Sequence, residues 1–231
     1  MLIDELKNIA RNNGIVGAGG AGFPAYAKMT EKADTVILNC VECEPLLKLH
    51  RQLLATHTEE IIQMLDEVRE SFGAKEAVIG IKSEYVTTIK AIEEVIGDFP
   101  NVRICALKAA YPMGDEVVLI YEATGRVIKP GGLPIDENVV VYNVETMYNL
   151  YRAVHLNIPV TNKLVSIVGE IDHPLTVRVP LGTTVKEAIS LAGKITVEDP
   201  AYVMGGPMMG RLGTENTVIT KTTNAIIILP K

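Results

Sequence analysis

Four short apolar runs, each followed by a helix-length segment, limit what this chain can fold into. The runs are residues 35–39 (TVILN), 77–81 (AVIGI), 102–107 (VRICAL) and 139–142 (VVVY). Runs this short and this continuously apolar read as strands buried on both faces rather than strands with one wet side. Between them, Ile61, Ile62, Leu65 and Val68 keep helical spacing over 56–72, and Gly73 is placed to stop that helix. Ser83 is placed to cap a helix running to residue 96, residues 115–123 form a further helix ending at Gly125, and 145–154 another. Strand–helix alternation of this kind predicts an α/β fold, a Rossmann-like parallel sheet with helices on both faces.

The rhythm changes after Pro159. Residues 164–171 and 175–179 read as two strands joined by Asp172-His173-Pro174. Thr183 or Thr184 can cap the helix that follows, with Glu187 spaced for a capping box from Thr184. Short strands near 201–204 and 225–229 complete a small β-grasp-like unit. The expected domains are therefore 1–160 and 161–231.

Composition narrows the function classes. A formal charge of −6 without a basic run argues against nucleic acid as a partner. No stretch approaches eighteen apolar residues, and the start MLIDELK is acidic and amphipathic, so neither a transmembrane segment nor a signal peptide is expected. Three cysteines make no disulfide framework, which points to a reducing, cytoplasmic setting. The composition leaves oligomer formation open. His50, His57, His155 and His173 are scattered without metal spacing, so no metal site and no catalytic triad are expected.

Residues 14–24 read GIVGAGGAGFP, with five glycines in nine residues. Gly17, Gly19 and Gly22 satisfy G-x-G-x-x-G, and Gly20 adds a further position free of Cβ, so the backbone can crowd against a phosphate or a flat ring. An ordinary dinucleotide fingerprint follows a strand, whereas here residues 4–13 read as an amphipathic helix. Phe23 adds an aromatic face beside the loop.

Three strand-to-helix junctions carry further polar signatures. NCVECEP (39–45) leaves the first strand, YPMGDE (111–116) the third, and NVET (143–146) the fourth. Ligand crevices of open α/β sheets lie at the carboxyl ends of strands, so this convergence outweighs any single motif. Cys40 and Cys43 form C-x-x-C, but without a second pair the reading favoured is small-residue packing, with Cys105 alone on a buried strand. GGPMMG (205–210) reads as a turn that packs its two methionines into a core, and Lys129 heads a rigid KPGGLP loop from which an ammonium can reach a phosphate.

GIVGAGGAGFPAYAK, NCVECEP, YPMGDE and YNVET, in this order, resemble the RnfC family. Relatives of that family include the NADH-binding flavoprotein subunit of respiratory complex I and the cobalamin reductase of propanediol-degrading microcompartments, whose layout this chain follows. VPLGTTVKEAISLAG and GGPMMG resemble the SLBB β-grasp domain of the same proteins. The resemblance implies non-covalent FMN and oxidation of NADH, with electrons passed to an iron–sulfur or corrinoid-reducing partner. Gly17, Gly19, Gly20, Gly22, Lys28, Asn39, Glu42, Gly114, Asp115, Glu116, Asn143 and Thr146 fall on its flavin-side positions. Phe23 and Glu44 fall near the dinucleotide, with Lys129 as a further substrate contact, and no side chain is needed as nucleophile or general base. Val41 stands where the complex I subunit has an aspartate, and the aromatic shelf for adenine is thinner. The family's iron–sulfur clusters have no counterpart among these residues, and attachment to a membrane complex or a microcompartment is implied. The alternative is a non-catalytic binding or scaffold module whose SLBB unit docks a partner protein or a cobalamin-like ligand.

Gly19→Val is expected to abolish FMN binding by blocking backbone approach while the β-grasp unit stays folded. Flavin titration followed by circular dichroism checks this, and flavin retained by the variant would show that the loop is not the cradle.

Overall fold

The computed structural model describes all 231 residues, arranged as two compact units. The first comprises Met1–Gly17, Phe23–Cys43 and His50–Pro159; the second comprises Ala18–Gly22, Glu44–Leu49 and Val160–Lys231. The tip of the glycine loop and the segment after the first strand thus group with the carboxyl-terminal residues.

In the first unit, α1 (Ile3–Asn12) precedes β1 (Thr35–Cys40), followed by α2 (Leu49–Thr56) and α3 (Thr58–Phe72). Then come β2 (Glu76–Lys82), α4 (Val86–Val95), β3 (Val102–Leu107), α5 (Glu116–Thr124), β4 (Val139–Asn143) and α6 (Val144–Leu156). All four strands are parallel in the order β3-β2-β1-β4. The apolar runs follow from this: β1, β2 and β4 are buried almost throughout, because helices cover both faces.

Alternate strand residues face opposite layers. Ile37, Val78, Val139 and Val141 pack with Leu119 and Ile120 of α5, and α3 and α6 pack against the sheet and each other. Gly80 on β2 lets α5 lie close, since a Cβ there would sit 2.6 Å from Leu119 Cδ1. Gly73 ends α3 in the left-handed conformation with φ of 69°. Asp115 caps α5 and Asn143 caps α6, each through its side-chain oxygen.

The second unit holds β5 (Asn162–Gly169), β6 (Leu175–Pro180), α7 (Val185–Ser190), β7 (Pro200–Met204), β8 (Arg211–Gly213) and β9 (Ala225–Pro230). Its mixed sheet runs β6-β5-β9-β7-β8, with β5 parallel to β9 and the other pairs antiparallel. Val165, Ile167, Ile226 and Ile228 form its core with Val185, Ala188 and Ile189 of α7. Leu47, from the segment that leaves β1, packs with Ala225 and Ile227.

Three sequence readings need correction. Ser83 does not cap α4; Tyr85 holds that position and offers no side-chain bond to the helix. Cys105 is not on a buried strand, because β3 is an edge with several partly exposed residues. The methionines of GGPMMG are not core, with Met208 52% and Met209 83% exposed. α2 and β8 are elements that the sequence pattern did not announce.

The capping box of α7 is formed as the spacing predicts: Thr184 N–H donates to Glu187 Oε2 at 2.8 Å and Glu187 N–H to Thr184 Oγ1 at 3.2 Å. The Thr184 amide and then its hydroxyl hold the Glu187 carboxyl below its ordinary value. A depressed carboxyl contributes stability above its unfolded pKa and loses it as pH falls through the folded one. Thr184→Ala is therefore expected to destabilise the second unit at neutral pH. The difference should narrow in acid, as read by denaturant titrations at both pH values.

Candidate functional site

Successive strands add in one direction from β1 to β2 to β3, whereas β4 adds on the other side of β1. The crossover direction reverses between β1 and β4, and crevices of open α/β sheets form outside the carboxyl ends of strands at that point. The last pair in register across it is Asn39 and Asn143. Two of the residues singled out in the sequence therefore flank the switch point from opposite strands.

Asn39 turns back on its own loop and across to the next. Its Oδ1 accepts from Val41 N–H at 3.0 Å, and its Nδ2 donates to the Gly114 carbonyl at 3.0 Å. Asp115 Oδ1 accepts from the Val117 and Val118 amides, satisfying donors that the helix start leaves without partners. Glu116, in the same first turn, pairs with Lys28 at 2.9 Å, and Lys28 Nζ also donates to the Val141 carbonyl of β4 at 3.2 Å. The β1, β3 and β4 exits and Lys28 thus form one connected group.

Glu42 supplies a second group. It is only 8% exposed, and its Oε1 accepts from His50 N–H at 3.0 Å, a cap delivered to the start of α2 from a distant residue. Its Oε2 has no hydrogen-bond partner. Burial raises the Glu42 carboxyl above its ordinary value, against the pull of the His50 and Arg51 amides and of the Arg51 and Lys82 charges. The His50 ring lies 3.3 Å through Nε2 from Asn143 Nδ2, so β4 is tied to the same group. Asn143 Oδ1 accepts from Glu145 N–H at 2.9 Å, and Thr146 Oγ1 donates to the Val16 carbonyl at 3.3 Å.

The glycine loop is closed at its base by Gly17 N–H donating to the Phe23 carbonyl at 2.8 Å. Phe23 itself is 49% exposed, an aromatic face available to a ligand. Within the second unit, Gly19 and Gly20 are exposed, and Gly20 and Gly22 have φ of 125° and 67°, a region that favours glycine. Glu44 is engaged there: Oε2 accepts from Met208 N–H at 2.8 Å and Oε1 from Met209 N–H at 2.9 Å. Gly206 makes this possible, since any Cβ would overlap the Glu44 carboxyl carbon at 2.0 Å. Lys129 stands exposed on its loop.

The carboxyl end of β2 went unnoticed in the sequence. Lys82 and Tyr85 leave that strand, and Arg51 Cζ stacks 4.4 Å from the Tyr85 ring centroid with Lys82 Nζ 5.7 Å from it. Burial, and then the Glu42 charge, push the Tyr85 hydroxyl above its ordinary value. The rule that drew attention to the other strand ends would have found KSEY too. Its plain composition hid it. Cys40 is fully buried and Cys43 half-buried, and all three cysteines are free thiols.

A carboxyl whose pKa is raised by folding favours the fold in acid and opposes it as pH rises through the folded value. Glu42→Gln is therefore expected to stabilise the ligand-free protein at neutral and higher pH, and to change little below the ordinary carboxylate range. Denaturant titrations across pH check this; a constant offset at every pH would show that ionisation of Glu42 carries no burial penalty.

Comparison with known proteins identifies both domains. Residues 10–152 match the model of the Nuo51 FMN-binding domain, and residues 164–212 match the SLBB domain. The cobalamin reductase PduS of Salmonella typhimurium is 41% identical over 229 residues, covering 99% of this chain and 50% of that protein. A subunit of the Na(+)-translocating ferredoxin:NAD(+) oxidoreductase complex of Acetobacterium woodii is 32% identical over 234 residues, covering 99% and 53%. The chain thus spans about half the length of the curated relatives it matches. A chain of the NAD+-reducing NiFe-hydrogenase in its air-oxidized state shares the fold, with a TM-score of 0.79 at 21% identity, covering 99% of this chain and 47% of that one. No helix is long and apolar enough to cross a membrane. With residues 10–152 matched, the chain belongs to the family of the Nuo51 FMN-binding domain, followed here by an SLBB domain.

Proposed function

We propose that the first unit binds FMN non-covalently and takes electrons from NADH, and that these leave to an iron–sulfur or corrinoid-reducing partner. One observation carries the reading furthest. The polar ends of β1, β3 and β4 gather at the switch point beside Glu42, whose buried Oε2 is satisfied by no group of the protein. A buried oxygen without a partner is costly, and the imide N–H and ribityl hydroxyls of a flavin are donors of the kind it lacks. The residues present therefore fit the group that the family binds.

FMN, when bound, supplies the exchange between two-electron and one-electron transfer. The protein's part is orientation and charge. The Lys28 ammonium, fixed by Glu116 and the Val141 carbonyl, supplies a positive charge that favours electron-rich states nearby. Asn143 and Thr146 present polar groups from the start of α6, while the Gly17 amide is engaged by the Phe23 carbonyl. For NADH, Phe23 offers a stacking face and Lys129 an exposed cation. Glu44, in the second unit, has its carboxylate engaged by the Met208 and Met209 amides.

The relatives named for cobalamin reduction and for a ferredoxin:NAD(+) oxidoreductase complex support a role in a larger electron-transfer assembly; a cytoplasmic place, attached to a membrane complex or a microcompartment, belongs to the same proposal. A second reading, a non-catalytic SLBB module that docks a protein or a cobalamin-like ligand, is favoured by the exposed Met208 and Met209. Anaerobic addition of NADH to FMN-loaded protein separates the two. Bleaching of the visible flavin band is expected. A band that NADH leaves unchanged would reject NADH oxidation and favour the docking module.

A further inference from the structure

Gly114 is held from three sides by the chain leaving β1. Its N–H donates to Cys43 Sγ at 3.1 Å, and its carbonyl accepts from Asn39 Nδ2 at 3.0 Å. Between these bonds the backbone lies flush against the Val41 carbonyl, which a Cβ at position 114 would approach to 2.1 Å, with Cys43 Sγ at 2.8 Å. Asn39 is fixed in turn, because its Oδ1 accepts from Val41 N–H at 3.0 Å. Both peptide groups of Gly114 are therefore gripped by residues more than seventy positions away in sequence.

The grip falls where it has leverage. Asp115, the next residue, is the cap of α5, and Glu116 carries the carboxylate that holds Lys28. A shift at Gly114 is passed within two residues to the helix start and to the cation. Met113, on the other side, packs against the core that includes Val41. Of the jaws of this clamp, Cys43 is the adjustable one. A thiol sulfur is a weak acceptor on a short side chain, so the bond is lost by a change as small as Ala and kept, in shortened form, by Ser.

We propose that Cys43 is a positioning residue of the FMN site, which sets the loop of residues 111–116 through the Gly114 amide and acts on the cofactor through that loop. Asn39 works as the opposite jaw, since its amide is engaged with Gly114 and Val41. The proposal rests on the flavin reading above and adds a residue whose place in C-x-x-C draws attention toward redox or metal chemistry instead.

Cys43→Ala and Cys43→Ser test it with two measurements: the FMN dissociation constant from quenching of flavin fluorescence, and amide exchange of residues 111–116 in flavin-free protein. Cys43→Ala is expected to exchange faster in this segment and to bind FMN about fivefold more weakly, the loss of one modest hydrogen bond. Cys43→Ser, which keeps an acceptor, is expected to recover most of both. Unchanged exchange in Cys43→Ala would overturn the clamp. Faster exchange with unchanged FMN affinity would overturn its link to the cofactor, and so would a Ser variant as defective as Ala. Absence of FMN binding by the unaltered protein would instead remove the flavin reading, while the exchange data still decide whether Cys43 holds the loop.

Discussion

A Cβ at position 114 would lie 2.1 Å from the Val41 carbonyl oxygen, and the layout of the first unit's ligand edge depends on that close approach. β1 is an inner strand, flanked by β2 and β4, so its exit has neighbours on both sides and on the helix layer above. The loop before α5 reaches it only because residue 114 has no side chain. Once there, the loop is fixed by Asn39 and Cys43, and the first turn of α5 follows from it. Glu116 then meets Lys28, and Lys28 meets the carbonyl of Val141 on β4. One steric constraint thus orders the exits of three strands.

Electrostatics at this edge are mixed rather than uniformly positive. Lys28 is balanced by Glu116, and Glu42 is held in a buried place where its ionised form is disfavoured. The Arg51 and Lys82 charges moderate that penalty without removing it. A site built this way suits a ligand with hydrogen-bonding edges as well as a phosphate. On the proposed reading its charge stabilises an electron-rich ring, and no nucleophile of its own is needed.

Much of this architecture was legible in the sequence because burial on both faces leaves strands with almost no polar residues. TVILN and VVVY are unambiguous for that reason, and Asn143 announces its helix as a cap, whereas Asp115, read as the first helical residue, is the cap of α5. The capping box of Thr184 and Glu187 was equally plain. What could not be read was governed by contacts distant in sequence. Glu42 caps α2 from outside the helix, so α2 carries no local start signal. Cys105 looked buried because its strand is apolar, yet β3 is an edge. Met208 and Met209 looked like core by composition, but the carboxylate of Glu44 binds their amides and leaves the side chains in solvent. The grip on Gly114 had no signal at all beyond the glycine itself.

The switch-point edge of the first unit is the proposed site for FMN. Calorimetric titration of the flavin-free protein with FMN, and in parallel with riboflavin, tests it most directly. One FMN per chain is expected, with riboflavin bound more weakly because it lacks the phosphate. Failure to bind FMN, or equal binding of riboflavin and FMN, would contradict it.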